Sequence, residues 1–137
     1  MYKEIVEYIK PTLTGLKEID AGFDVDLLPA NQMDNYYFIK IDSIEDEEAE
    51  SYSIDTVSVE IELWFLLSNK KDNYEKSIDK ANTIKKAVKE LTSDNTNETT
   101  LQIINTQNVK IQGLNNIIKN NWLKCTVNFD IRIFDGQ

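Results

Sequence analysis

The sequence has no histidine, one cysteine, two prolines and four glycines in 137 residues. Without histidine, a serine or cysteine nucleophile activated by an imidazole is excluded, and so is the usual histidine-containing zinc site. A single cysteine, Cys125, permits no internal disulfide. It alternates with apolar neighbours and reads as a small core residue in a chain from a reducing compartment such as the cytoplasm. The four glycines form neither a GxGxxG nor a GxxxxGK[ST] phosphate loop. Scarce Gly, Pro and Cys also argue against collagen-like, disordered and disulfide-stapled classes. No apolar run approaches the roughly 20 residues of a membrane helix. The amphipathic start MYKEIVEYIK lacks the charged-then-apolar order of a signal peptide. No cofactor and no metal is expected.

Positive charge is also in short supply, with 15 Lys and Arg against 24 Asp and Glu and a net charge of −9. That balance disfavours a nucleic-acid surface binder. Residues 1 to 69 hold 16 acids and 4 lysines, a net of −12, whereas residues 70 to 137 hold 8 acids and 11 bases, a net of +3. Seven of the bases fall between Lys70 and Lys89. One reading is an unevenly charged, solvated surface. The other is a molecule whose acidic part meets the basic part of a neighbouring copy.

What is present is patterning for one domain, residues 1–137. Apolar spacing from Tyr2 to Ile19 predicts a helix of two to three turns, then a kink or second short helix, because Pro11 disfavours helical geometry at Lys10. A short strand is expected near Val25 to Leu28, and another over YYFIKID at 36 to 42. The run SIEDEEAES reads as a loop, since Glu45, Asp46, Glu47, Glu48 and Glu50 repel one another. A long strand follows from about Ile54 to Leu67, making an antiparallel hairpin across that acidic tip. Asp72 reads as a helix N-cap with Glu75 as its capping-box partner. The helix behind it carries Tyr74, Ile78, Ala81, Ile84, Val88 and Leu91 on one stripe. Residues 99 to 111 predict a strand with a weak middle or a bulge, Gly113 to Asn121 a turn region, and LKCTVNFDIRIFD a strictly alternating strand. Strands with one buried and one wet face imply α+β: a two-layer sandwich, a mostly antiparallel sheet of about four strands with two helices packed on one face.

The wet face carries Ser58, Glu60 and Glu62 on one long strand and Thr126, Asn128, Asp130 and Arg132 on the other. Glu60 and Glu62 share one strand face, the placement a carboxylate pair needs, but no apolar pocket to raise a pKa is evident beside them. The acidic run lacks the DxDxDG order of a calcium hand. No enzyme activity is expected. At the end of VSVEIELWFLLS the polar side becomes apolar at Trp64 and Leu66. Either these two mark a contact with another molecule, or the chain's own N-terminal segment covers them.

The layout of these elements resembles the tail terminator proteins of long-tailed bacteriophages, also called tail completion or tail-to-head joining proteins, and their counterparts in tail-like bacteriocin particles. MYKEIVEYIK, YYFIKI, VSVEIELWFLLS leading into DNYEKSIDKANTIKKAVKEL, and WLKCTVNFDIRIFDG carry the resemblance. It spans nearly the whole chain and includes no invariant motif. The acidic run and the Asn-rich stretch at 113 to 121 have no counterpart in it. The resemblance implies a non-enzymatic virion or particle protein at the head-proximal end of the tail, assembled in the host cytoplasm. It implies a ring of this chain, usually a hexamer, that caps the tail tube, ends its growth and offers a joining surface to a neck or head-closure protein. The sheets of neighbouring subunits then line a channel through which DNA passes without specific binding. On that picture Ser58, Glu60, Glu62, Thr126, Asn128, Asp130 and Arg132 face the channel as a negative, non-sticky wall, with Arg132 paired to a neighbouring acid. Trp64 and Leu66 become a subunit or tube interface, and Glu45, Asp46, Glu47, Glu48 and Glu50 an axial contact. The alternative is a small acidic monomeric or dimeric α+β module that masks a basic protein partner.

Overall fold

The alternation of residues 122 to 135 produces the strand around which the sheet is organised. In a computed structural model, which describes residues 1–19, 35–48, 53–68, 70–91, 102–118 and 121–135, this strand is β6 (Trp122–Asp135). The other strands are β1 (Lys17–Glu18), β2 (Tyr36–Glu48), β3 (Ser53–Leu66), β4 (Gln102–Gln112) and β5 (Ile117–Ile118). The sheet order is β1-β2-β3-β6-β4, with β5 also paired to β6. All neighbours are antiparallel except β1 and β2. The expected α+β sandwich is therefore present, its four long strands joined by two strands of two residues each.

β3 and β6 pair without interruption from Ser53↔Asp135 to Leu66↔Trp122. Period-two alternation puts Val57, Val59, Ile61, Leu63 and Phe65 of β3, and Leu123, Cys125, Val127, Phe129, Ile131 and Ile133 of β6, on one buried face. Removing each such side chain from water stabilises the fold by about 1.5–3 kcal/mol.

Both helices cover that face. α1 (Tyr2–Ile9) buries Ile5, Val6, Tyr8 and Ile9. It lies across the strands: the Tyr2 hydroxyl donates to the Ile39 carbonyl on β2 (2.6 Å), and the Tyr8 hydroxyl lies 3.4 Å from Thr106 Oγ1 on β4. Pro11 does not break the chain's helical course. Lys10 keeps right-handed helical dihedrals and the backbone tightens into a 3-10 turn over Lys10–Leu13. The Thr12 hydroxyl donates to the Ile9 carbonyl there. α2 (Lys71–Lys89) lies over β4, β6 and β3 and buries Ala81, Ile84 and Val88. Its N-cap is Lys70, with no side-chain cap. Asp72 instead sits inside the first turn, where its charge favours the helix dipole, and the expected capping box with Glu75 does not form. The Asn73 amide donates to the Leu67 carbonyl at this junction.

Other expectations shift with the pairing. The strand foreseen over 36 to 42 extends to Glu48, so Glu45, Asp46, Glu47 and Glu48 belong to β2 rather than to a loop. Their partners Thr56, Asp55, Ile54 and Ser53 on β3 supply the backbone bonds. A strand also sends successive side chains to opposite faces, which separates like charges that a loop would crowd. β4 carries register shifts between Ile103 and Asn105 and between Gln107 and Lys110, where its alternation lapses. The turn region from Gly113 contains the short β5. Glu50 and the strand foreseen near Val25 to Leu28 lie outside the described residues.

Candidate functional site: the uncovered sheet face

Because both helices lie on one side, the opposite face of the sheet carries no helix among the described residues. The register brings all seven residues expected on this face together: Thr56↔Arg132, Ser58↔Asp130, Glu60↔Asn128 and Glu62↔Thr126 are cross-strand neighbours. β2 adds Lys40 opposite Glu60 and Glu45 opposite Thr56. β4 adds Gln107 opposite Asp130, Lys110 opposite Asn128 and Gln112 opposite Thr126.

At the centre, the Ser58 hydroxyl donates to Asp130 Oδ1 (2.8 Å) and the Asn108 amide donates to Asp130 Oδ2 (3.0 Å). Asn108 has φ +58°, a left-handed conformation that Asn tolerates better than most residues. It lies in the second irregularity of β4, which turns its side chain to the carboxylate. One row on, the Asn128 amide donates to Gln112 Oε1 (2.8 Å) and to Thr126 Oγ1 (3.0 Å). An open cleft of about 310 Å³ over this area is bordered by Asp42, Ser58, Lys110, Asn128 and Asp130.

Towards α2's first turn, Glu62 is 6% exposed. Lys40 Nζ lies 2.6 Å from its Oε2, the Trp64 indole N–H donates to its Oε1 (2.8 Å), and Lys124 Nζ lies 3.9 Å from Oε1. Lys40 also reaches Glu60 at 3.7 Å. The hydrogen bond to Glu62 holds the Lys40 ammonium above its usual pKa, and the charges of Glu62 and Glu60 add to that. At the far end, Arg132 lies 3.8 Å from Glu47 of β2, so an acid of the same chain stands beside it.

Two expectations change. The face is not a uniformly negative wall: Asp42, Glu45, Glu47, Glu60, Glu62 and Asp130 share it with Lys40, Lys110, Lys124 and Arg132, six acids against four bases among the described residues. Glu62 in particular is enclosed rather than presented to a channel. At the end of β3, of the two readings left open, the chain's own cover matches the structure and an exposed aromatic contact does not. Trp64 is 5% exposed within a second apolar cluster with Ile19, Tyr36 and Trp122, and Leu66 is partly buried against it. Lys124 Nζ lies 5.2 Å from the Trp64 ring centroid, a cation–π contact. Ile19, from the N-terminal segment, is part of that cover.

Sequence reasoning passed over Lys40, Lys110 and Asn108. Lys40 was visible as the polar position of YYFIKID, but its acid partners depend on the register of β2 against β3. Asn108 stood in the weak middle of β4, where nothing local says that a bulge aims it at Asp130.

Chemically the face is a set of mutually engaged amides and charges. Among the described residues no three His, Cys, Asp or Glu side chains are grouped to hold a metal ion, and no helix is long and apolar enough to cross a membrane. No protein-family model matches the chain, and no curated protein matches it.

Proposed function

We propose that this chain is a structural subunit of a ring that caps the tail tube of a long-tailed phage or tail-like particle, ends tube growth and offers the joining surface for the neck or head. The observation that carries the reading is the helix-free sheet face, on which acids and bases are interspersed and three of the bases lie beside acids. Placed side by side with helices outward, copies of this fold present that face to a central hole. A DNA-binding surface gains affinity by releasing counterions where free Lys and Arg meet phosphates. Here Lys40 is held by Glu62 and Glu60, Lys124 lies near Glu62, and Arg132 lies near Glu47. Such a wall neither holds a polyanion nor strongly repels it, and DNA slides past a hydrated surface of amides and paired ions. The tail tube protein and a neck or head-closure protein are the axial partners in this reading. The chain itself is the lateral one, and no step calls for catalysis or a cofactor.

Solution mass together with negative-stain electron microscopy tests the proposal. Rings of about six copies with a central hole and no measurable DNA affinity at physiological salt are expected. A compact monomer at high protein concentration that binds a basic protein would overturn it in favour of the acidic masking module.

A further inference from the structure

Among the described residues the sheet ends in two largely open edges. On its outer side β2 has β1 beside Tyr36 and Tyr37 alone, and β4 has β6 on one side and no strand on the other, among the described residues. The carbonyls of Tyr37 and Ile39 point outward, where Ile19 N–H (3.0 Å) and the Tyr2 hydroxyl (2.6 Å) reach them. Past Ile39, no strand among the described residues lies on the outer side of β2, and its outward backbone groups there can take a further strand, as edges do.

Four features of these edges fit each other. First, β2, β3, β6 and β4 are successively antiparallel, so β2 and β4 run in opposite directions. A second copy related by rotation about an axis along the strands brings its β2 antiparallel to β4, with both polar faces on the same side. Second, each edge carries an irregularity at the same level. The extra residue at Asp42 and the shift between Gln107 and Lys110 both fall between the Ser58↔Asp130 and Glu60↔Asn128 rows. The rows therefore match on both sides of the bulges without sliding one copy along the other. Third, each edge exposes one isoleucine that a neighbour would cover, Ile44 (52% exposed) on β2 and Ile104 (42% exposed), the unpaired residue in the first irregularity of β4. Fourth, Asp42, Glu45, Asp46 and Glu47 would oppose their like if β2 met a second β2, whereas β4, QIINTQNVKIQ, contains no acid. Lys110 falls opposite Lys40, whose charge Glu60 and Glu62 offset.

We infer that β2 of one copy pairs antiparallel with β4 of the next, Ser43 opposite Gln107 and Ile44 opposite Thr106, joining copies head to tail into one continuous sheet. The contact is heterologous, the kind that closes into a ring when the rotation allows, and it names the lateral joint of the proposed ring, on which it rests. The acids of β2 then act as a filter, rejecting the symmetric pairing and admitting the acid-free edge.

Disulfide trapping with Ser43→Cys and Gln107→Cys chains tests the joint. Directly opposed residues on antiparallel strands lie about 4.5–5.5 Å apart at Cα, within disulfide reach. Buried Cys125 stays in place in all variants. Under mild oxidation, an equimolar mixture should give a mixed dimer and each variant alone none above wild type; a chain carrying both substitutions should give a ladder of multimers. Ile44→Asp should lower the cross-link yield at least tenfold with its thermal melt unchanged. Rings seen by microscopy without the mixed cross-link, or Ser43→Cys alone cross-linking as well as the mixture, overturn the inference and leave the ring reading standing. The mixed cross-link in open chains that never close upholds the joint and overturns the ring. A chain that is monomeric at every concentration and yields no cross-link overturns both.

Discussion

The ammonium of Lys40 on β2 lies 2.6 Å from the buried carboxylate of Glu62 on β3. Removing Lys40 leaves Glu62 with the Trp64 indole and the more distant Lys124. Lys40→Met should lower stability by about 1–3 kcal/mol, since a buried acceptor then loses its charged donor. The double variant Lys40→Met with Glu62→Leu should recover at least half of that loss. Chemical denaturation of the two single variants and the double variant measures the coupling, and strict additivity would show that the pair does not act as a unit.

Gly113 begins the turn between β4 and β5 with φ +79°. An added Cβ there would lie 3.3 Å from the Lys124 carbonyl oxygen. The same turn is tied to α2 by the Tyr74 hydroxyl, which donates to the Leu114 carbonyl (2.6 Å). Gly113→Ala should therefore cost about 1–2 kcal/mol, read as a shifted denaturation midpoint. An unchanged midpoint would mean the turn relaxes without strain.

Burial pushes the Cys125 thiol from 9.0 up to about 12. The folded chain thus keeps a proton that the unfolded chain gives up near pH 9. The stability due to this group is present in full below about pH 9 and is lost as pH rises towards 12, with a slope of at most about 1.4 kcal/mol per pH unit. The raised values of Tyr8, also from burial, and of Lys40 act in the same direction at high pH. Alkaline titration of wild type against Cys125→Ala should show a shallower decline for the variant between pH 9 and 12. In wild type at pH 8, a thiol reagent should label Cys125 only at the rate of unfolding; rapid labelling would contradict its burial.

How far the sequence showed all this depends on range. β3 and β6 were legible because strict alternation over many residues specifies both the strand and its buried face. α2 was legible from its stripe through Ala81, Ile84 and Val88, although its start lay before Asp72, as helix ends shift easily by a residue or two. The acidic run misled because mutual repulsion is a local signal and strand pairing is not. Glu47 finds Arg132 only after β6 has paired with β3. Trp64 stayed open between an outside contact and the chain's own cover for the same reason: its cover comes from Ile19, Tyr36 and Trp122, which only the sheet order brings together. The residues of the polar face were legible as a set, but their charge balance was not, because Lys40 and Lys110 arrive from the flanking strands.

On the proposed function, the helix-free face of the sheet lines the hole of a ring. A three-dimensional electron-microscopy reconstruction of the assembled protein, alone or on a tail tube, tests it most directly. A closed ring is expected, with Ser58, Glu60, Asn128 and Asp130 around the hole and α1 and α2 on the outer wall. A ring with α2 against the hole and these four side chains on the outside would contradict it.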